Sequence, residues 1–525
     1  MKNSFKYLGV FLFFLAIFLV PRFFIEGFVG VDPYYHAEHS RLMLENNNLT
    51  YVADWVDFHF LSYAPVDLWW GYHLIQVLFL FLFESIFGLK ILASIASALI
   101  FVLVYFILNK FKIKKPFLWS AFALFASATN FSRIFFERPF VLSIVMSLFI
   151  FYFLYKRKNL ALFLCLIIYT LIYELAIIAF FWVFVFMLVD YFYERKIYLR
   201  SLIATLGGFV AGILVHPNTQ EYINGIYLVL IKIWIIAWEV SPELNQGVEI
   251  RVHGLESFLL SNFLFLLFYI LALSGFGFLL SLRKASKKTV ILFIISFVWC
   301  VVAFFIPRGT EYWVPFGILF IAVVWQTFMK TKESRIIAKK IHNIELFPFK
   351  YLLIFLIIFV LLANAFVVMK TLRNISYNNI NEDSNSQAVD NWLIENTEQG
   401  SRIFTSNWSL FPRLFYGNQH NKFITAYDPA LFYEFDPTLF YTWANIANHQ
   451  MFLTEKFTKV KKIADLSSEE NVKNIKNALL ARLQTPTIVI HKAQPELKKF
   501  FEENMTEYFK LSFENELYTV FTYAR

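Results

Sequence analysis

Two cysteines in 525 residues exclude a disulfide framework, and no CxxC pair is present for a metal site. Both Cys165 and Cys300 lie inside apolar runs. Charge is equally scarce. Asp, Glu, Lys and Arg together make up 16% of the chain, against about 25% in an ordinary soluble domain. The first apolar run, Tyr7 to Val20, is followed by Pro21, Arg22 and bulky aromatics rather than by a small-residue cleavage site. It reads as a retained helix, not as a signal peptide. No internal repeat and no low-complexity segment is visible.

What is abundant is apolar surface. Hydrophobic residues reach 58%, aromatics 20%, and 66 residues are Phe. A water-soluble fold has nowhere to put that much apolar area, whereas a bilayer does. The net charge of +9 does not point to nucleic acid. The basic residues sit in short runs between apolar spans, at Lys2/Lys6, Lys110 to Lys115, Lys156 to Lys158, Arg195 to Arg200, Arg283 to Lys288 and Lys330 to Lys340. That is the pattern of cytoplasmic loops.

Placing every basic run on one side sets the crossings. A span needs about 20 apolar residues. Spans are expected at 7–24, 91–108, 117–132, 139–155, 201–215, 257–282, 289–306, 314–329 and 351–369. The block 160–192 makes a hairpin turning near Tyr173-Glu174. The stretch 74–88 is short and carries Glu84, so it is read as lying on the outer surface. The expectation is a polytopic α-helical membrane protein with about eleven crossings and a cytoplasmic N-terminus. Residues 1–369 form the membrane domain, with external loops at 25–90 and 216–256. Residues 370–525 form an extracytoplasmic α/β domain. Within it, strands are expected at Arg402 to Thr405 and Thr487 to His491. Helices are expected at Ser386 to Asn396 and Asn474 to Leu483, and two closing strands between Tyr508 and Tyr523. The aromatic stretch Asn407 to Trp443, with Asp428-Pro429 and Asp436-Pro437, reads as turns that are candidates for acceptor contact.

Ionisable groups at a membrane are costly, so those present are candidates for function. Four places stand out, all on the expected outer side. Gly30-Val31-Asp32-Pro33-Tyr34-Tyr35-His36, followed by His39, puts an acid just past the first helix. The rival reading of Asp32 is a helix cap. Ser132-Arg133-Ile134-Phe135-Phe136-Glu137-Arg138 packs a carboxylate and two guanidinium groups into a turn, for which snorkelling with a local ion pair is the alternative. Trp238-Glu239-Val240-Ser241-Pro242-Glu243 lies in the second long loop, which could equally be solvated chain. Arg308-Gly309-Thr310-Glu311-Tyr312 places an Arg where a lipid phosphate would sit.

Taken together, these features resemble the GT-C glycosyltransferases, which take sugar from polyprenyl-phosphate or -diphosphate carriers. Such enzymes carry an acid soon after helix 1 and a second in the next outer loop, positions that Asp32 and Glu137 fill here. Asp32-Pro33-Tyr34-Tyr35-His36 is similar to the first motif of oligosaccharyltransferase catalytic subunits. Ser132-Arg133 with a following acid matches their second motif in outline, with one acid in place of a pair. Glu239 matches a late-loop glutamate by position only. No Trp-Trp-Asp-Tyr-Gly motif is present, so the resemblance does not extend to protein N-glycosylation.

The resemblance implies transfer of a sugar from a polyprenyl-phosphate-linked donor to a glycan, lipid or protein acceptor at the outer face of a cell or plasma membrane. Asp32 and Glu137 are the catalytic candidates. Arg133, Arg138 and Arg308 are candidates for the donor phosphate. Tyr35, His36, His39, Glu239, Glu311 and Tyr312 are supporting candidates. A divalent cation, Mg or Mn, on Asp32, Glu137 and Glu239 is an alternative way to hold the phosphate. Asp32 and Glu137 are expected to face one another, with Arg133, Arg138 or a metal compensating their charge. His36 and His39 are not expected to bind zinc, because no second ligand pair stands at a helpful spacing. A transporter or flippase is the competing class. It would bury charges in helices and show inverted repeats, neither of which this sequence does.

Overall fold

The computed structural model describes residues 2–52, 54–83, 85–240, 254–334, 347–426, 428–447 and 469–524. Its residues form two units. The first comprises Met1–Ile25, Leu89–Val215 and Gly247–Asn374, and the second Glu26–Gly88, His216–Gln246 and Ile375–Arg525.

The first unit is built from helices. Among the described residues of the whole chain, nine helices are long and apolar enough to cross a membrane. Eight of them (nine less Thr219–Trp238) match expected spans: Phe5–Phe23, Ile86–Lys110, Pro139–Lys156, Glu174–Glu194, Leu255–Ser281, Lys287–Phe305, Pro307–Phe328 and Tyr351–Asn396. The expected hairpin in 160–192 is present, broken at Tyr173 between Asn159–Ile172 and the turn Glu174–Ile177. Asn159–Ile172, Leu199–Val215 and Pro116–Phe125 are apolar helices shorter than 18 residues. The expected span 117–132 is not one helix. It is Pro116–Phe125 followed by Ala128–Arg133, because Ser127 leaves the helical conformation and accepts a hydrogen bond from the Asn130 amide.

Packing within this unit follows side-chain size. The helix Thr310–Phe328 is buried without interruption from Thr310 to Val324, as expected of a segment apolar on every face. Leu199–Val215 packs on Asn159–Ile172 through Gly208 and Gly212. A Cβ at Gly208 would come within 2.7 Å of Leu166 Cβ, and one at Gly212 within 2.7 Å of Thr170 Cβ. This is the Gly-x-x-x-Gly spacing that lets helix backbones approach where lipid removes the hydrophobic drive for association.

The second unit contains a five-stranded sheet, β1 (Arg402–Thr405), β2 (Lys422–Phe423), β3 (Thr487–His491), β4 (Phe509–Glu514) and β5 (Tyr518–Tyr523), in the order β2-β1-β3-β5-β4. β1 pairs in parallel with β2 and β3, and β5 runs antiparallel to β3 and β4. In the central β3, Ile488, Val489 and Ile490 form an apolar run, and Thr487 to Ile490 are buried, as in a strand covered on both faces.

The loop after the first helix belongs to this sheet. The Phe423 amide donates to Trp55 O at 2.9 Å, Val56 bridges Phe423 in parallel, and Arg402 and Lys422 both pair with Asp57. The loop thereby covers the sheet edge that β2 would otherwise expose.

Three expectations change here. The region 216–240 is helical rather than a solvated loop. Thr219–Tyr227 and Ile233–Val240 are joined by a π-helical turn, Leu228–Lys232. One side puts Ile236 into the core of the second unit, while Trp234 and Trp238 stay exposed. The helix expected to begin near Ser386 is instead the end of a continuous helix, Phe347–Asn396. The Asp-Pro pairs are helix starts rather than turns. Asp428 accepts from the Ala430 amide, and Asp436 from the Thr438 and Leu439 amides, each with Pro in the first turn. The surrounding aromatic text is core: Phe432, Phe440 and Trp443 are buried among Phe404, Ile446 and Ile488.

Candidate functional site

In the second unit, Gly30 takes a φ of +92°, a conformation open to glycine. The chain then enters the helix Asp32–Glu45. Val31 is the N-cap, so Asp32 is not the capping side chain; it is the first helical residue, half-buried, followed by Pro33. A carboxylate there lies at the positive end of the helix dipole.

The rest of the motif points inward. Tyr35 is buried among the rings of Trp55, Trp69, Phe411 and Phe415, at centroid distances of 5.4–6.3 Å. His36 Nδ1 lies 2.9 Å from His73 Nε2, and His73 Nδ1 lies 2.6 Å from Asp67 Oδ2. His39 Nε2 is 3.4 Å from the same oxygen. Burial opposes charge on Asp67, but His73 and His39 outweigh it and hold the carboxyl well below its usual range. The sequence reading found no second ligand pair for His39. Asp67 and His73 supply one, and the three form a group able to hold a metal. The one signal in the sequence was a histidine within the apolar run Trp69 to Leu82.

Tyr34 closes the other side of the motif. Its hydroxyl bonds Asp383 at 2.8 Å, and Arg413 lies over its ring at 4.8 Å. Burial pushes the Tyr34 phenol up. Gly27, at a φ of +62°, leaves room for this pair, because a Cβ there would meet the Tyr34 hydroxyl and Asp383 Oδ2.

In the first unit, Glu137 is buried and bound to Arg22, whose Nε donates to Glu137 Oε1 at 3.1 Å. The same guanidinium donates to Ile134 O at 2.9 Å and to Ser97 and Ser94 at 3.1 and 3.3 Å, and sits over the Phe135 ring at 5.0 Å. The arginine compensating Glu137 is therefore Arg22, 115 residues away, not the neighbouring Arg133 or Arg138 alone. Arg133 is engaged as well. Its Nε donates to buried Glu311, and its guanidinium lies over Phe136 and Phe140. Tyr312 bonds Ser143, which also meets the Tyr169 hydroxyl at 2.6 Å. Arg138 and Arg308 are half-buried. Both pull on the Tyr173 phenol, which burial and then Glu174 push above its ordinary range. Arg138, Arg308, Glu174 and Glu311 thus lie within electrostatic reach of one tyrosine.

Asp32 and Glu137 belong to different units, and each is described within its own. Glu239 ends the helix Ile233–Val240; its side chain and residues 241–253 lie outside the described residues. Glu137 fits a divalent cation poorly, since a fully buried guanidinium already pairs with it. A cavity of about 530 Å³ opens elsewhere in the first unit, at Arg157, Asp190, Glu194 and Lys287, and none of the candidate residues lines it.

A bundle of apolar helices with an acid-bearing loop after the first helix and a late α/β segment makes a GT-C-like fold. Solved structures share it. The apo oligosaccharyltransferase of Archaeoglobus fulgidus matches with a TM-score of 0.61 at 12% identity, covering 94% of this chain and 70% of that one. The oligosaccharyltransferase AglB from the same organism, in complex with an inhibitory peptide and a dolichol-phosphate, matches at 0.59 and 12%, covering 99% and 74%. ArnT from Cupriavidus metallidurans, bound to undecaprenyl phosphate, matches at 0.50 and 11%, covering 99% and 98%. No protein-family model and no curated protein matches the sequence.

Proposed function

We propose that the chain is a glycosyltransferase that moves a sugar from a polyprenyl-phosphate or -diphosphate carrier to an acceptor at the outer face of the membrane. The observation carrying this is Asp32, at the first turn of the helix that follows the first apolar span, in a fold shared with two kinds of protein solved with polyprenyl phosphates.

The acceptor hydroxyl attacks the anomeric carbon, and the bond from that carbon to the phosphate oxygen breaks. The electron pair leaves with the phosphate, and the acceptor proton goes to the Asp32 carboxylate. A half-buried carboxylate at a helix N-terminus can take that role or orient the hydroxyl. Arg133, Arg138 and Arg308 are the candidates for the departing phosphate. Glu137 holds Arg22 and the turn 133–139 in place. Tyr35 and His36 shape the helix carrying Asp32. No step is routed through a cation at Glu137.

Turnover of a radiolabelled polyprenyl-phosphate sugar by purified protein in detergent tests the reading. Glycan and glycolipid mass spectrometry of cells with and without the gene should show one missing sugar. An unchanged glycan profile together with no donor consumption would remove the transferase assignment in favour of transport.

In this reading Lys112 faces the cytoplasm and the segment after Asn374 faces outside. With Cys165 and Cys300 replaced by Ala, a cysteine at exposed Glu395 should react with an impermeant maleimide in intact cells. A cysteine at Lys112 should react only after lysis. Labelling at Lys112 from outside would sink the orientation.

A further inference from the structure

We propose that His39, Asp67 and His73 hold one zinc ion that pins the helix Asp32–Glu45 to the helix Trp70–Leu82. The site is independent of the transferase reading and uses none of the residues assigned to the reaction.

Each residue offers one ligand atom, and the three atoms lie within 4.8 Å of one another. All three side chains are buried: His39 and His73 at 0% exposure, Asp67 at 4%. The outward atoms are already fixed. His36 Nδ1 holds His73 Nε2 at 2.9 Å, which turns Nδ1 toward the site. The Trp69 amide donates to Asp67 Oδ1 at 3.0 Å, which leaves Oδ2 facing both imidazoles. Outer partners of this kind, here on His73 and Asp67, orient metal ligands generally.

His39 is the independent observation. Among the described residues, neither of its buried ring nitrogens has a hydrogen-bond partner. Burying an imidazole without a partner is costly. A chain of hydrogen bonds from His36 through His73 to Asp67 joins three of the four side chains and leaves His39 with only its 3.4 Å approach to Asp67 Oδ2. A metal ion uses it.

The donor set selects the ion. Two imidazoles and one carboxylate suit zinc, whereas magnesium and calcium prefer oxygen alone. Ligand atoms around a tetrahedral zinc stand about 3.3 Å apart. The separation of His39 Nε2 from Asp67 Oδ2 is already 3.4 Å. The His73–Asp67 contact, at 2.6 Å, is a hydrogen bond that opens on binding as the His73 proton leaves. A water completes the fourth position.

The test uses the full chain in detergent, purified without a polyhistidine tag. Elemental analysis should find about one zinc per chain. A chelator should remove it and lower the thermal midpoint, and zinc, but not magnesium, should restore it. His39→Gln and Asp67→Asn should lose the zinc, and His36→Gln should weaken binding about 10–100-fold, the usual effect of removing an outer partner. Should the variants fail to fold, cobalt(II) added to the stripped wild-type protein should give the visible absorption of a four-coordinate site, displaced by zinc. A wild-type protein with no zinc, no cobalt spectrum and a midpoint indifferent to zinc would overturn the site, as would zinc content unchanged in His39→Gln. None of these readouts depends on donor turnover, so the zinc site and the transferase can fail separately.

Discussion

Asp32→Asn is expected to lower sugar transfer at least ~100-fold while leaving the protein folded and inserted, the scale on which a general base contributes. The substitution keeps the shape of the side chain and removes its charge and most of its basicity. Structural damage should be small. Asp32 is half-buried, and the cap residue of its helix is Val31. The loss of a charge at the helix N-terminus costs only about 0.3–1 kcal/mol. The measurement is kcat on the purified variant, with the thermal midpoint and size-exclusion profile as controls. A variant within a few-fold of wild type would take Asp32 out of the reaction. Asp32→Glu separates the two roles: a base that must sit at a fixed distance tolerates the extra methylene poorly, whereas a charge that only steers the acceptor tolerates it well.

The second large effect is on stability. Arg22→Met takes the guanidinium away from the buried Glu137 carboxylate and from Ser94 and Ser97, and leaves Ile134 O short of one bond. Removing one half of a buried ion pair costs about 3–5 kcal/mol. The cost comes from the charge left behind, so the double variant Arg22→Met/Glu137→Gln should regain a large part of it. Thermal unfolding of the single and double variants in detergent checks this. If Arg22→Met alone leaves the midpoint unchanged, the pair does not hold the turn. The same series bears on Glu137: a double variant that is stable but inactive would give Glu137 a role in the reaction beyond bonding Arg22.

Much of the architecture was legible before the structure because membrane insertion is read locally. An apolar run of about 20 residues satisfies its own backbone and is stable in lipid whatever its neighbours are. The strands 402–405 and 487–491 and the closing pair 509–523 were also visible, since alternation and β-branched runs are local too. Local reading failed where a residue pattern supports two outcomes. Asp-Pro begins turns and helices alike, and only the packing of Phe432 and Phe440 into the core decides for helix. The segment 216–240 is polar enough for a loop and apolar enough for a helix, and burial of Ile236 settles it.

The site was legible in its residue types and not in its partnerships. The sequence alone determined that this is a polytopic membrane protein with acids, arginines and histidines gathered between its spans, because desolvation makes charge rare inside lipid and conspicuous beside it. Only the tertiary structure decided that Glu137 answers to Arg22, Arg133 to Glu311, and His39 to Asp67 and His73. It also decided that the loop after the first helix completes the edge of the C-terminal sheet. These contacts join residues tens to hundreds of positions apart, where no helix or strand period operates. A buried charge takes whichever partner the packing brings within reach, and that is a property of the folded chain.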